Sequence, residues 1–113
     1  MESQLDLNQE RLRLTQKMKQ ALPDTIAAEL KVGETAYAPG ALSTKEKRLI
    51  ALGVALGRGC TNCILGQTSR ALEAGATVQE LLETTGVAVA IGGTMGMAES
   101  LRVIRFLEEQ GKL

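Results

Sequence analysis

Along nearly the whole of this chain, apolar side chains return every three or four residues, and no run alternates β-branched with polar residues as a half-buried strand does. A chain patterned in this way buries its apolar stripes by laying helix against helix, so the expected fold class is all-α. About six helices are expected. The first runs from about Asp6 to Ala21, with Leu7, Leu14, Met18 and Leu22 on its apolar side and Arg11, Arg13, Lys17 and Lys19 in solvent. Pro23 ends it and opens a short helix to about Gly33, because proline is tolerated at a helix entry and not in its interior. Glu34 to Leu42 holds Pro39-Gly40 and the only tyrosine, Tyr37, and reads as a connecting loop.

Two later helix starts are marked by capping boxes, Ser43-Thr44-Lys45-Glu46 and Thr77-Val78-Gln79-Glu80. The first opens a helix to about Gly57 whose Leu49–Leu56 stretch is apolar all round, which places it at the centre of the fold. Cys60 opens the next helix, with Ile64, Thr68, Ala71 and Leu72 on one side, ending at Ala74-Gly75. The second capping box starts a helix carrying the apolar residues Leu81, Leu82, Val87, Val89 and Ile91 and ending at Gly92-Gly93. A last helix covers about Met95 to Gln110, with Met97, Leu101 and Ile104 inward and Arg102, Arg105 and Glu109 outward. Glycine recurs in these helices at a cost of up to about 1 kcal/mol each against alanine, for which close helix approach is the expected return.

At 113 residues, the chain is expected to form a single domain over 1–113. Thirteen basic residues balance thirteen acidic ones, and there is one Phe, one Tyr and no Trp, so neither phosphate neutralisation nor base stacking is available and no nucleic-acid partner is expected. The longest uninterrupted apolar run, Leu49 to Gly57, is far short of the roughly 20 residues a membrane helix needs, and Met1-Glu2-Ser3-Gln4 does not begin a secretory signal. No membrane association and a cytoplasmic location are therefore expected. Gly92-Gly93-Thr94-Met95-Gly96 lacks the lysine and preceding strand of a phosphate loop, and Met95 and Met97 have no accompanying soft ligands. No cofactor is called for.

Histidine is absent, which removes imidazole bases and the Ser-His and Cys-His catalytic pairs. What remains is Cys60-Thr61-Asn62-Cys63, a Cys-x-x-Cys motif at a helix start. Sulfurs one turn apart can form a disulfide, while free backbone donors and the positive helix end favour the nucleophilic thiolate. Arg58 adds positive charge two residues upstream. Two other readings stay open: that the cysteines only fill space, or that they join ligands of another subunit around zinc, since two thiols alone do not complete a four-ligand site.

The ordered motifs Tyr37-Ala38-Pro39-Gly40-Ala41-Leu42-Ser43-Thr44-Lys45, Leu49-Ile50-Ala51-Leu52, Cys60-x-x-Cys63 and Glu73-Ala74-Gly75-Ala76-Thr77 resemble the carboxymuconolactone decarboxylase family, on its alkylhydroperoxidase D-like side, over roughly 34–109. The resemblance implies an all-helical homo-oligomer, a trimer or hexamer, in which a cysteine pair reduces peroxides or disulfides with electrons from an external dithiol or redox protein. The decarboxylases proper lack the pair. In the thiol-dependent branch a glutamate on the helix before the motif and a histidine four residues after the second cysteine relay protons; the matching positions here hold Arg48 and Gln67. Glu46 is near Arg48, but two residues turn a helical side chain by about 200°, so it need not stand in for that glutamate. Arg48 could stabilise a thiolate as a fixed charge and Gln67 could hydrogen-bond to sulfur or substrate, or both could be structural. The expected activity is thiol-disulfide oxidoreduction, with a catalytically silent helical binding or assembly protein and a decarboxylase-like enzyme as the alternatives.

Overall fold

A computed structural model describes residues 1–113. The chain forms α1 (Gln4–Ala21), α2 (Pro23–Tyr37), α3 (Thr44–Arg58), α4 (Thr61–Glu73) and α5 (Val78–Glu109), with no strand. Both expected capping boxes are present: Ser43 and Glu46 exchange backbone and side-chain hydrogen bonds at the start of α3, as do Thr77 and Glu80 at the start of α5. Lys45 and Glu80 then pair at 2.8 Å, tying the two helix starts together.

Five elements stand where six helices are expected, because the last two run into one another. Gly93, with φ 57° and ψ −133°, supplies a non-helical bend inside α5 that a residue with a side chain rarely adopts. Beyond the bend Gly96 lies directly on the Ala88 carbonyl, where any Cβ would collide. By length and apolar composition alone, α5 is long and apolar enough to cross a membrane, which the longest uninterrupted apolar run in the sequence does not anticipate. The bend divides it into two segments, each shorter than the roughly 20 residues a bilayer requires.

The core forms where α3, α4 and α5 meet: Leu52, Ala55 and Leu56 from α3, Ile64 and Ala71 from α4, and Leu81, Val103 and Leu107 from α5. As expected, α3 lies between its neighbours, but it is not covered all round, for Ile50 and Val54 are exposed. On the second half of α5 the buried side is Gly96, Ser100, Val103, Phe106 and Leu107, not Met97 and Leu101, which are exposed. One residue of offset is 100° on a helix, and the close approach of Gly96 to Ala88 decides which side faces in. Val87, Val89 and Ile91 are likewise exposed, and Gly57, Gly86 and Gly92 face open space within the chain.

The α1–α2 hairpin is attached differently. The buried residues of α1 are Gln4 and Asn8, and α2 has none. Ser3 Oγ and the Gln4 backbone N–H both donate to the Glu109 carboxylate, and Asn8 donates to Ser69 Oγ at 3.3 Å. Polar contacts thus dock α1, and the expected stripe of Leu14, Met18 and Leu22 is left exposed together with Leu12, Leu30 and Val32.

Candidate active site

The site begins where α3 stops. Gly59 takes the left-handed conformation (φ 69°) that caps α3, its N–H directed to Ala55 and Leu56 carbonyls, and this turn delivers Cys60 in extended conformation as the N-cap of α4. Serine, threonine, aspartate or asparagine usually holds that position. Here Cys60 Sγ accepts the Cys63 backbone N–H at 3.2 Å, so one of the free donors of the helix start is spent on sulfur. Cys60 and Cys63 are joined as a disulfide, with Cα atoms 5.2 Å apart. Cys60 is half-buried and Cys63 exposed.

The disulfide borders a cavity of about 710 Å³. One wall is α3, contributing Lys47, Ile50, Ala51, Val54, Ala55 and Arg58; Ala36 and Tyr37 come from the end of α2, and Gln67 from α4. The guanidinium carbon of Arg48 lies 3.5 Å from the centroid of the Tyr37 ring. Gln67 joins the two: its Oε1 accepts from Arg48 Nη1 at 3.2 Å and its Nε2 donates to Tyr37 Oη at 3.3 Å. Burial pulls the ionisation of Arg48 below its ordinary value, the attraction of Tyr37 opposing it. An arginine remains charged even so.

Five of the residues singled out in the sequence therefore converge: Arg58, Cys60, Cys63 and Gln67 line the cavity, and Arg48 stands behind Gln67 and Tyr37. Glu46 is elsewhere. Its carboxylate accepts the Ser43 backbone N–H at 2.9 Å, and that bond holds it below the usual carboxylate range, so it serves the helix cap. Tyr37 is the site residue that the sequence reading missed, because α2 continues to Tyr37 where it was expected to end at Gly33. Thr44 Oγ1 donates to the Tyr37 carbonyl at 2.8 Å and Lys47 Nζ to the Ala38 carbonyl at 2.6 Å, which pins this end of α2 to α3.

A second cavity, about 660 Å³, lies between α3 and α5 and is walled by Ile50, Val54, Val87, Ile91 and Met95 among others. Ile50, Val54 and Arg58 border both cavities, forming a shared ridge.

The sequence pattern of the carboxymuconolactone decarboxylase family matches residues 23–106. An uncharacterized protein of Cupriavidus necator is 32% identical over 89 residues, 79% of each chain. Among solved structures, the apo form of a carboxymuconolactone decarboxylase family protein from Legionella pneumophila superposes with a TM-score of 0.85 at 28% identity, covering 92% of this chain and 93% of that one. A Thermotoga maritima protein does so with a TM-score of 0.79 at 26% identity, covering 91% and 90%.

Proposed function

Because the chain belongs to the carboxymuconolactone decarboxylase family and carries a Cys-x-x-Cys pair, we propose that it is a thiol-disulfide oxidoreductase of the alkylhydroperoxidase D-like kind, reducing peroxides or disulfides. The observation that carries this reading is the position of the Cys60–Cys63 disulfide, at a helix N-terminus and open to a cavity large enough for a small substrate.

In the reduced protein one sulfur, as thiolate, attacks the distal oxygen of a hydroperoxide. An S–O bond forms, the O–O bond breaks, and the alkoxide takes a proton from solvent. The second sulfur then attacks the sulfenic sulfur, forming the disulfide, and its proton leaves with the displaced hydroxide as water. An external dithiol attacks the disulfide, passes through a mixed disulfide and departs oxidised, returning two electrons and two protons to Cys60 and Cys63. The Cys63 N–H directed at Cys60 Sγ favours a thiolate there in the reduced state. This cycle suits a reducing compartment, and we assign it to the cytoplasm.

We also take the working form to be a homo-oligomer. Apolar side chains are left exposed on the α1–α2 hairpin and along the α3–α5 groove, and contiguous apolar surface of this kind is what a partner copy covers. A second reading, a catalytically silent helical assembly protein, is favoured by one observation: Arg48 and Gln67 bond to each other, and neither can carry a proton at neutral pH.

The test is alkylation rate against pH for each thiol, together with peroxide consumption in the presence of dithiothreitol. A thiol reacting well below the ordinary cysteine pKa of about 8.5, with disulfide formation coupled to peroxide loss, supports the redox reading. Ordinary reactivity at both thiols and no peroxide loss would favour the silent assembly.

A further inference from the structure

We propose that the oxidant reduced at this site is an aliphatic hydroperoxide bearing a carboxylate, its peroxide end at the cysteines and its carboxylate at Lys47. The inference rests on the redox reading above and gives it a substrate class. The cavity beside the disulfide is within the range of small-molecule sites, and its α3 wall between the two ends is Ile50, Ala51, Val54 and Ala55, a strip that offers an alkyl chain apolar contact. No aspartate or glutamate lines it. Its charged residues are Lys47 and Arg58, both cationic and neither paired with a carboxylate.

These two cations occupy opposite ends of the wall. They lie near the start and at the end of α3, about 16 Å apart along the helix axis. Arg58 is at the cysteine end, two residues before Cys60, where its charge favours the attacking thiolate and the departing alkoxide. Lys47 is at the far end, beside Tyr37. One of its N–H groups holds the Ala38 carbonyl, which fixes the ammonium in place and leaves its other donors for an anion. Behind Tyr37 the Arg48 guanidinium, also without a carboxylate partner, adds a further positive charge. A neutral peroxide would leave the Lys47 end unused, and an acid with its carboxylate close to the peroxide could not reach it.

The experiment compares 10-hydroperoxydecanoic acid with its methyl ester, using dithiothreitol as donor. We expect kcat/KM for the acid to exceed that for the ester about fivefold at low salt, chiefly through KM, the size of one exposed charge contact. The advantage should shrink as salt screens the contact. Lys47→Gln should bring the ratio to about one, Lys47→Arg should retain it, and Lys112→Gln, which removes the same charge away from the cavity lining, should leave it as in the parent. Equal kcat/KM for acid and ester, with the disulfide still forming, overturns the carboxylate assignment and leaves the redox reading standing. Consumption of neither, with both thiols remaining free, overturns the redox reading and this inference together.

Discussion

Arg48 lies face-on over the ring of Tyr37, 3.5 Å from its centroid, and has no carboxylate partner. The half-buried cation is held by a π face and by the side-chain oxygen of Gln67, contacts that leave its charge uncancelled. The cavity beside the disulfide thus has a permanent positive charge next to it that no change of pH in the physiological range removes.

The Tyr37–Arg48 contact should be measurable as a coupling. A double-mutant cycle of Tyr37→Ala and Arg48→Ala in urea unfolding is expected to give about 0.5–2 kcal/mol, and Tyr37→Phe should keep most of it because the ring remains. A coupling indistinguishable from zero means that the stacking adds nothing to stability.

Peroxide turnover should be slow in the parent and faster in Arg48→Glu with Gln67→His, which restores a carboxylate and an imidazole at the positions of the relay. General acid-base assistance contributes about 10² to 10⁴-fold where geometry is good, and a gain toward the lower end is expected since Arg48→Glu also gives up the Tyr37 contact. Steady-state peroxide loss for the parent, both single variants and the double variant is the measurement. Fast turnover by the parent and slower turnover by the double variant would mean that Arg48 and Gln67 form a working site of their own.

Stability should fall in acid. The Ser3 hydroxyl above all, with the Gln4 N–H, holds the Glu109 carboxyl below its ordinary range; Lys45 does so foremost for Glu80, and the Ser43 N–H for Glu46. A carboxyl with a lowered folded-state pKa binds protons more readily when unfolded, so its contribution is complete above the unfolded value of about 4.3 and is lost as pH falls through the folded one. Urea midpoints from pH 6 down to pH 2 should decline below about pH 4.5, and Glu109→Gln should flatten part of that decline. An unchanged profile would show that α1 is docked by other contacts.

In solution the mass should be several times the 12.0 kDa of one chain. Ile91 is 88% exposed and Val54 stands on the ridge between the two cavities, so Ile91→Asp and Val54→Asp are expected to reduce the mass seen by light scattering. Charge placed on an apolar interface is left without a partner when the interface closes. A parent that runs as a monomer removes the oligomer from the reading.

The all-α class, both capping boxes and the Cys60 helix start were legible in the sequence because each depends on residues within one or two turns of one another. The facing of the second half of α5 was not, since Met97 and Leu101 are as apolar as Val103 and Leu107; contact between Gly96 and Ala88 across the Gly93 bend makes the choice. For α1 the periodic leucines pointed to the wrong side: it docks through Gln4 and Asn8, polar residues whose partners Glu109 and Ser69 are distant in sequence. Of the site, Cys60, Cys63, Arg48 and Gln67 could be found by motif and family position. Tyr37 could not, because its ring meets Arg48 only after α2 has been extended by a turn and tied to Thr44.

With no tryptophan and a single tyrosine, the intrinsic ultraviolet fluorescence of this chain comes from Tyr37, a wall of the cavity that holds the disulfide. The molecule therefore contains its own optical probe at one known place. Changes at the sulfurs, entry of a ligand along α3, or loss of the Arg48 contact all alter the surroundings of that one ring, and unlabelled protein can be followed through each of them in stopped flow.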